Sequence, residues 1–267
     1  MDLILECHNL EFRYKDQIIF KDISFHIEKG RFCAILGRNG SGKTTLIHCL
    51  NKILTPVCGR ILILGKDITS FSGNALARKI SLLPQEHIDI FPYKVMDVVV
   101  MGRAPFLKIS ERPGEADYQI AAQALKQLNV EHLSNRNFNR ISGGERQIVL
   151  LARCLAQAAD IMLLDEPTNH LDFNHQYHLL SSIRQLCRKN KITVVASMHD
   201  PNLASAFADD IIMIKNGRVM VKGVKDDVMT EENISALYDM DVKKNQSSRI
   251  LPPTQRCPPI PLWTPKH

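Results

Sequence analysis

The stretch Gly37-Arg38-Asn39-Gly40-Ser41-Gly42-Lys43-Thr44-Thr45 limits what this chain can fold into more than any other feature. It fits the pattern G-x-x-x-x-G-K-[ST] of a phosphate-cradling loop without a gap. Ahead of it lies the apolar run Phe32-Cys33-Ala34-Ile35-Leu36, short enough to be a buried strand. Behind it Leu46, Ile47, Leu50 and Leu54 recur at helical spacing. Strand, glycine loop and helix N-terminus together make an anion site, because unpaired backbone N–H groups and the helix dipole both face the ligand. Gly37, Gly40 and Gly42 lack the Cβ that would hold the backbone off phosphate oxygens. In such a loop Lys43 would bridge the β- and γ-phosphates of a nucleotide, and the Thr44 hydroxyl would ligate Mg²⁺.

Four apolar runs differ from the rest of the chain in lacking alternation: residues 31 to 36, 80 to 83, 161 to 164 and 192 to 197. Such runs suit parallel strands covered on both faces. The phosphate loop follows the first, Pro84 and Gln85 the second, Asp165 and Glu166 the third, and Met198 and His199 the fourth. Ligands of an open parallel sheet bind at the carboxyl ends of its strands. Chain order therefore delivers a lysine, a glutamine, two carboxylates and a histidine to one edge. Asp165 is the expected Mg²⁺ holder and Glu166 the group that polarises attacking water. Gln85 can ligate Mg²⁺ through its carbonyl and relay the metal's state to the helical segment on its C-terminal side.

Around these runs the pattern changes. Leu10, Phe12 and Tyr14 alternate with polar residues, as do Ile23, Phe25 and Ile27, which predicts antiparallel strands joined by a further one over Arg60–Leu64. From Glu86 to Ala159 the pattern is mostly helical, with one helix marked by Ala116, Ile120, Ala124 and Leu128 and another by Ile148, Leu151, Ala152 and Leu155. Ser142 and Glu145 have capping-box spacing ahead of the second. Ser142-Gly143-Gly144 at its start is also able to hold a phosphate, and the two readings are compatible. Asp200-Pro201 reads as an N-cap with proline at the first helical position, and Lys215-Asn216-Gly217-Arg218 as a hairpin turn. Prolines cluster after about Asp241, which predicts an extended or disordered tail. Tyr14 suits either a core position or a ring stacked on adenine. His170, His175 and His178 lack a third ligand at metal spacing and read as solvated helix residues.

Composition excludes little but is consistent. The net charge of +6 suits an anionic ligand or membrane surface, and no basic run interleaved with aromatics suggests a nucleic-acid surface. The seven cysteines form no C-x-x-C pair and sit largely in apolar runs, as reduced core residues do. The opening residues lack the basic and apolar regions of a signal peptide. No uncharged apolar run approaches the ~18 residues of a membrane span, so work at a membrane requires a partner.

Taken in order, these pieces resemble the nucleotide-binding subunit of ABC (ATP-binding cassette) transporters over about Leu3 to Tyr238. Gly37 to Thr45 matches Walker A, Gln85 the Q-loop, Ile141 to Gln147 the signature, Ile161 to Glu166 Walker B, Asn169 to Asp172 the D-loop and His199 the switch histidine. Tyr14 falls where the adenine-stacking aromatic is expected. The signature departs at Ile141, Glu145 and Ile148, none of which is expected to touch phosphate. Tyr93 to Pro105 resembles, more narrowly, the segment after the Q-loop in importers of iron chelates, haem and cobalamin, a group that includes molybdate and tungstate carriers.

The resemblance implies an α/β fold: a P-loop (RecA-like) core with a mostly parallel sheet, an N-terminal antiparallel β subdomain and an inserted helical subdomain. It places residues 1–85 and 160–240 in the nucleotide-binding core, 86–159 in the helical subdomain and 241–267 in the tail. It implies ATP and Mg²⁺ as ligands. It also implies a head-to-tail homodimer in which Lys43 and Thr44 of one copy face Ser142 and Gly144 of the other, Asp172 bridges the copies and His199 holds the γ-phosphate. It further implies that transmembrane permease subunits dock near Gln85 to Gly102, that a substrate-binding protein takes part indirectly, and that the chain sits on the cytoplasmic face of the inner membrane. The alternatives are an exporter subunit, a soluble ABC ATPase of the translation or DNA-repair kind, and a non-enzymatic nucleotide-gated module. A tandem cassette or a long coiled-coil insert marks the soluble kinds, and this chain has neither.

Overall fold

Alternation within the buried strands explains why this chain builds two layers on one sheet. In a computed structural model that describes residues 2–85, 92–108, 110–169 and 171–240, with the backbone of 242–245 and 262–265, every residue of β3 (Phe32–Leu36) is buried. Phe32, Ala34 and Leu36 join one apolar cluster while Cys33 and Ile35 join another, on the opposite face. The same division separates Met162 and Leu164 from Ile161 and Leu163 in β7 (Ile161–Asp165). Side chains that point alternately up and down must find apolar cover on both sides.

The chain supplies that cover in order. β1 (Leu3–Tyr14) and β2 (Gln17–Glu28) pair antiparallel, and β4 (Cys58–Ile63) and β5 (Lys66–Asp67) extend them into a four-stranded antiparallel sheet of order β2-β1-β4-β5. This sheet and α1 (Lys43–Leu50) cover one face of the central sheet. Helix α2 (Gly73–Ala77) leads to β6 (Ile80–Leu83). The other face is covered by α3 (Val95–Val100), α4 (Glu115–Gln127), α5 (Gly143–Ala156), α6 (Phe173–Asn190) and α7 (Pro201–Phe207).

The central sheet has six strands in the order β10-β9-β3-β8-β7-β6, where β8 is Thr193–Met198, β9 Asp210–Lys215 and β10 Arg218–Val224. Its register carries the functional consequence: Leu36 aligns with Met198, Ser197 with Asp165, and Leu83 with Leu164. The residues following β3, β8, β7 and β6 therefore emerge at one edge.

The antiparallel strands, the expected helices and the Asn216-Gly217 hairpin turn form as the sequence predicts, the turn residues having φ of +49° and +69°. Asp200 caps α7 and Pro201 occupies its first turn. Three details differ. Helix α1 ends at Leu50, because Lys52 takes φ +58°, so Leu54 lies beyond it and packs separately against the core. Strand β9, read from sequence only as one arm of a hairpin, also pairs in parallel with β3. Among the cysteines, Cys7, Cys33, Cys49, Cys154 and Cys187 are buried free thiols, but Cys58 is exposed and Cys257 lies outside the described residues.

After β10 come α8 (Lys225–Val228) and α9 (Glu231–Tyr238). In the tail, β11 (Val242–Asn245) and β12 (Leu262–Pro265) pair antiparallel, and the expectation for the remainder lies outside the described residues. No helix among the described residues is long and apolar enough to cross a membrane.

Candidate active site

The loop after β3 turns into α1 at Gly42, whose φ of +94° few side-chain-bearing residues tolerate and which receives no side-chain cap. Gly37 is also required by packing inside the protein. A Cβ there would stand 2.6 Å from the Ile214 carbonyl oxygen and 2.5 Å from Ser41 Oγ. Ile19 and Phe20 of β2 lie against Gly42, which brings the β1–β2 hairpin beside the loop. Tyr14, at the end of that hairpin, is 50% exposed and meets Phe12 edge to face at 4.9 Å. An exposed ring there is available for stacking.

Lys43 is buried in the loop it follows. Its Nζ donates to the carbonyls of Gly37 at 2.9 Å and Arg38 at 3.2 Å, and stands 3.7 Å from Glu166 Oε1. Burial draws its pKa below the usual lysine value, opposed by the charges of Glu166 and Asp165.

Asp165 ends β7 almost fully buried. Its Oδ1 accepts the Thr44 hydroxyl at 3.1 Å and the Ser197 hydroxyl at 2.6 Å. Its Oδ2 is buried with no hydrogen-bond partner among the described residues, as is Ser41 Oγ. A buried carboxylate oxygen without a donor is costly. A hard divalent cation beside Asp165 and Thr44 satisfies it, so these residues fit Mg²⁺.

Glu166 adopts φ +47°, a left-handed conformation unusual for its type, and its backbone N–H donates to Ser197 Oγ at 2.8 Å. Its Oε2 accepts Gln85 Nε2 at 3.1 Å and Asn169 Nδ2. Gln85, Lys43, Thr44, Asp165 and Glu166 are thus in one connected group although they come from three strand ends. His199 follows β8 at the same edge with an exposed side chain, and its carbonyl accepts the Tyr238 hydroxyl at 2.6 Å.

The remaining expected residues lie elsewhere. Ser142 caps α5: its hydroxyl accepts the Glu145 N–H at 3.2 Å while Glu145 Oε2 accepts the Ser142 N–H at 2.8 Å. Among the described residues no hydrogen bond or ion pair joins Ser142, Gly143 or Gly144 to Lys43 and its neighbours. Asp172 caps α6 and is paired with the His175 ring at 2.9 Å. No cluster of three or more metal-binding side chains occurs among the described residues, His178 is exposed, and His170 lies outside them.

Sequence reasoning missed Ser197, and named Gln147 and Asn169 only within the signature and D-loop matches, not as partners of this group. Gln147 is buried and donates to the Pro167 carbonyl at 2.9 Å, tying α5 to the turn after Glu166. A polar residue on the buried face of an apolar helix was the available signal.

The profile of the ABC transporter family matches residues 20–169. A Helicobacter pylori protein named "Probable iron chelatin transport ATP-binding protein" is 36% identical over 89% of this chain and 93% of its own length. A solved structure described as "an inward-facing conformation of a putative metal-chelate type ABC transporter" superposes with a TM-score of 0.86 at 32% identity, covering 100% of this chain and 98% of that one. A dimeric ATP-binding cassette in a post-hydrolysis state with ADP and phosphate gives a TM-score of 0.70 at 27% identity, covering 83% of this chain and 98% of that one.

Proposed function

The chain belongs to the ABC transporter family as an ATP-binding, ATP-hydrolysing subunit, and we propose that it works as a homodimer powering import of a metal chelate, or of an oxyanion such as molybdate. The observation that carries the hydrolytic part is the Glu166 carboxylate, shared by Lys43, Gln85 and Asn169 at the end of β7. Bound ATP competes for the Lys43 ammonium, and release of that contact frees Glu166 Oε1 to accept a proton from water. Gln85 and Asn169 keep the carboxylate aimed while this happens. Thr44 and Asp165 would hold Mg²⁺, which supplies charge neutralisation at the phosphates. His199, solvent-facing at the adjacent strand end, holds the γ-phosphate, and Tyr14 stacks on the adenine.

The dimer follows from a separation. Among the described residues no hydrogen bond or ion pair joins Ser142, Gly143 or Gly144 to the Lys43 group of the same chain, which supports a reading in which the phosphate they hold is the other copy's. Asp172 bridges the copies. Hydrolysis then removes the charge that joins the two halves, which is the two-state element a transporter needs. A dimeric cassette with ADP and phosphate among the structural relatives supports this reading.

The permease docks near Gln85 to Gly102, and of the described large apolar residues there Tyr93 and Met101 are exposed. Residues 86–159 act as a helical subdomain that carries this surface, and the chain sits at the cytoplasmic face of the membrane with a substrate-binding protein on the other side. The import direction rests on the Tyr93–Pro105 segment and on relatives of the iron-chelate kind. Reconstitution with the permease in vesicles, this chain and ATP on one side only, tests it. Accumulation of an iron chelate on the side of the chain supports import; movement away from it marks an exporter.

A further inference from the structure

His199 is fixed from an unexpected direction. The histidine sits between β8 and the Asp200 cap of α7, and no partner of its imidazole occurs among the described residues. Its carbonyl oxygen accepts the hydroxyl of Tyr238, the last residue of α9. The Tyr238 ring packs against the helical-face core, so the phenol reaches His199 from an anchored base. Burial first, then the charge of Asp200, raises the phenol pKa, which keeps it a donor across the working pH range.

The next residue reaches the opposite flank of the site. Asp239 leaves α9 with φ +54°, and its Oδ2 accepts Arg38 Nη1 at 2.8 Å within the phosphate loop. Its Oδ1 accepts Lys215 Nζ at 2.5 Å, and Lys215 also bonds the Ala236 carbonyl of α9. The carbonyl of Arg38 in turn accepts Lys43 Nζ. Two consecutive residues at one helix end thus touch the backbone of His199 and the loop that holds Lys43.

We propose that Tyr238 is a positioning residue for His199, with Asp239 seating the end of α9 against the phosphate loop so that the two flanks of the nucleotide site stay in register. The proposal rests on the reading of His199 as the γ-phosphate ligand. A displaced His199 costs more in the transition state than in nucleotide binding, because the developing charge lies on the γ-phosphoryl oxygens.

The test is a double-mutant cycle on the full chain, assembled with its permease where free turnover is low. Tyr238→Phe keeps the ring and removes only the hydroxyl. The expected result is a kcat lower by about fivefold to tenfold, a KM for ATP within about twofold and a thermal midpoint within about 2 °C of the parent. His199→Ala alone must lower kcat, and adding Tyr238→Phe to it must cause no further loss. An unchanged kcat in Tyr238→Phe overturns the proposal, as does an equal fractional loss with and without His199. Full turnover in His199→Ala instead refutes the assignment of His199, and is recognised separately because that variant leaves Tyr238 intact.

Discussion

The Ser197 hydroxyl donates to Asp165 Oδ1 at 2.6 Å and accepts the Glu166 backbone N–H at 2.8 Å. One side chain on β8 therefore holds the Asp165 carboxylate and the Glu166 backbone that follows it, through the pairing of Ser197 with Asp165. Ser197→Ala leaves the Glu166 N–H without its acceptor, at a cost of about 1–3 kcal/mol, where φ is already +47°. Turnover is expected to fall about tenfold. The Mg²⁺ concentration for half-maximal rate is expected to rise, since Asp165 loses a donor that orients it. Titration of the ATPase rate with Mg²⁺ checks this, and an unshifted curve with normal turnover speaks against it.

Gly144 packs under a histidine from the next helix. A Cβ at that position would stand 2.4 Å from the His175 ring, which is itself held by Asp172. Gly144→Ala forces the partly exposed His175 ring to turn away from Asp172, at an expected cost of about 1 kcal/mol or less because a side-chain end can move and alanine suits the helix. Adding His175→Ala removes the obstacle and should restore most of the thermal midpoint. If the second substitution restores nothing, the contact is not the cause.

The start of α5 should depend on pH. Hydrogen bonds from the Ser142 N–H and hydroxyl hold the Glu145 carboxyl below its ordinary value of 4.5. A depressed carboxylate stabilises the fold above its unfolded value, and that stability is lost as pH falls through the folded one. Glu145→Gln should thus differ from the parent by a roughly constant amount above pH 5, of about 1 kcal/mol or less at a solvent-exposed cap. The gap should narrow below pH 4.5. Denaturant midpoints at several pH values measure it, and a gap that widens on acidification contradicts the assignment.

Much of the site was legible because polar residues follow unbroken apolar runs. A strand buried on both faces has to end where the chain turns polar, so residue order alone could place Gln85, Asp165, Glu166 and His199 at one edge. Ser197 was not legible, since a serine inside such a run reads only as an interruption until register sets it opposite Asp165. The parallel pairing of β9 with β3 was hidden for a related reason: periodicity reports which faces are buried, not which strand lies alongside. A second demand on Gly37 was not legible, because the Ile214 carbonyl that crowds it lies far along the chain. Tyr238 bonds His199 across 39 residues, and no local pattern announces such a pair.

The central claim is that two copies close on shared nucleotide, each contributing Lys43 and Glu166 at one site and Ser142 at the other. Glu166→Gln removes the base while keeping the side chain's shape, so turnover should fall by about 10²-fold or more with ATP still bound. The molar mass of this variant, measured by light scattering with and without ATP and Mg²⁺, decides the matter. A doubling of mass with ATP, abolished by Lys43→Ala, is the expected result; a monomer at saturating bound ATP contradicts the account.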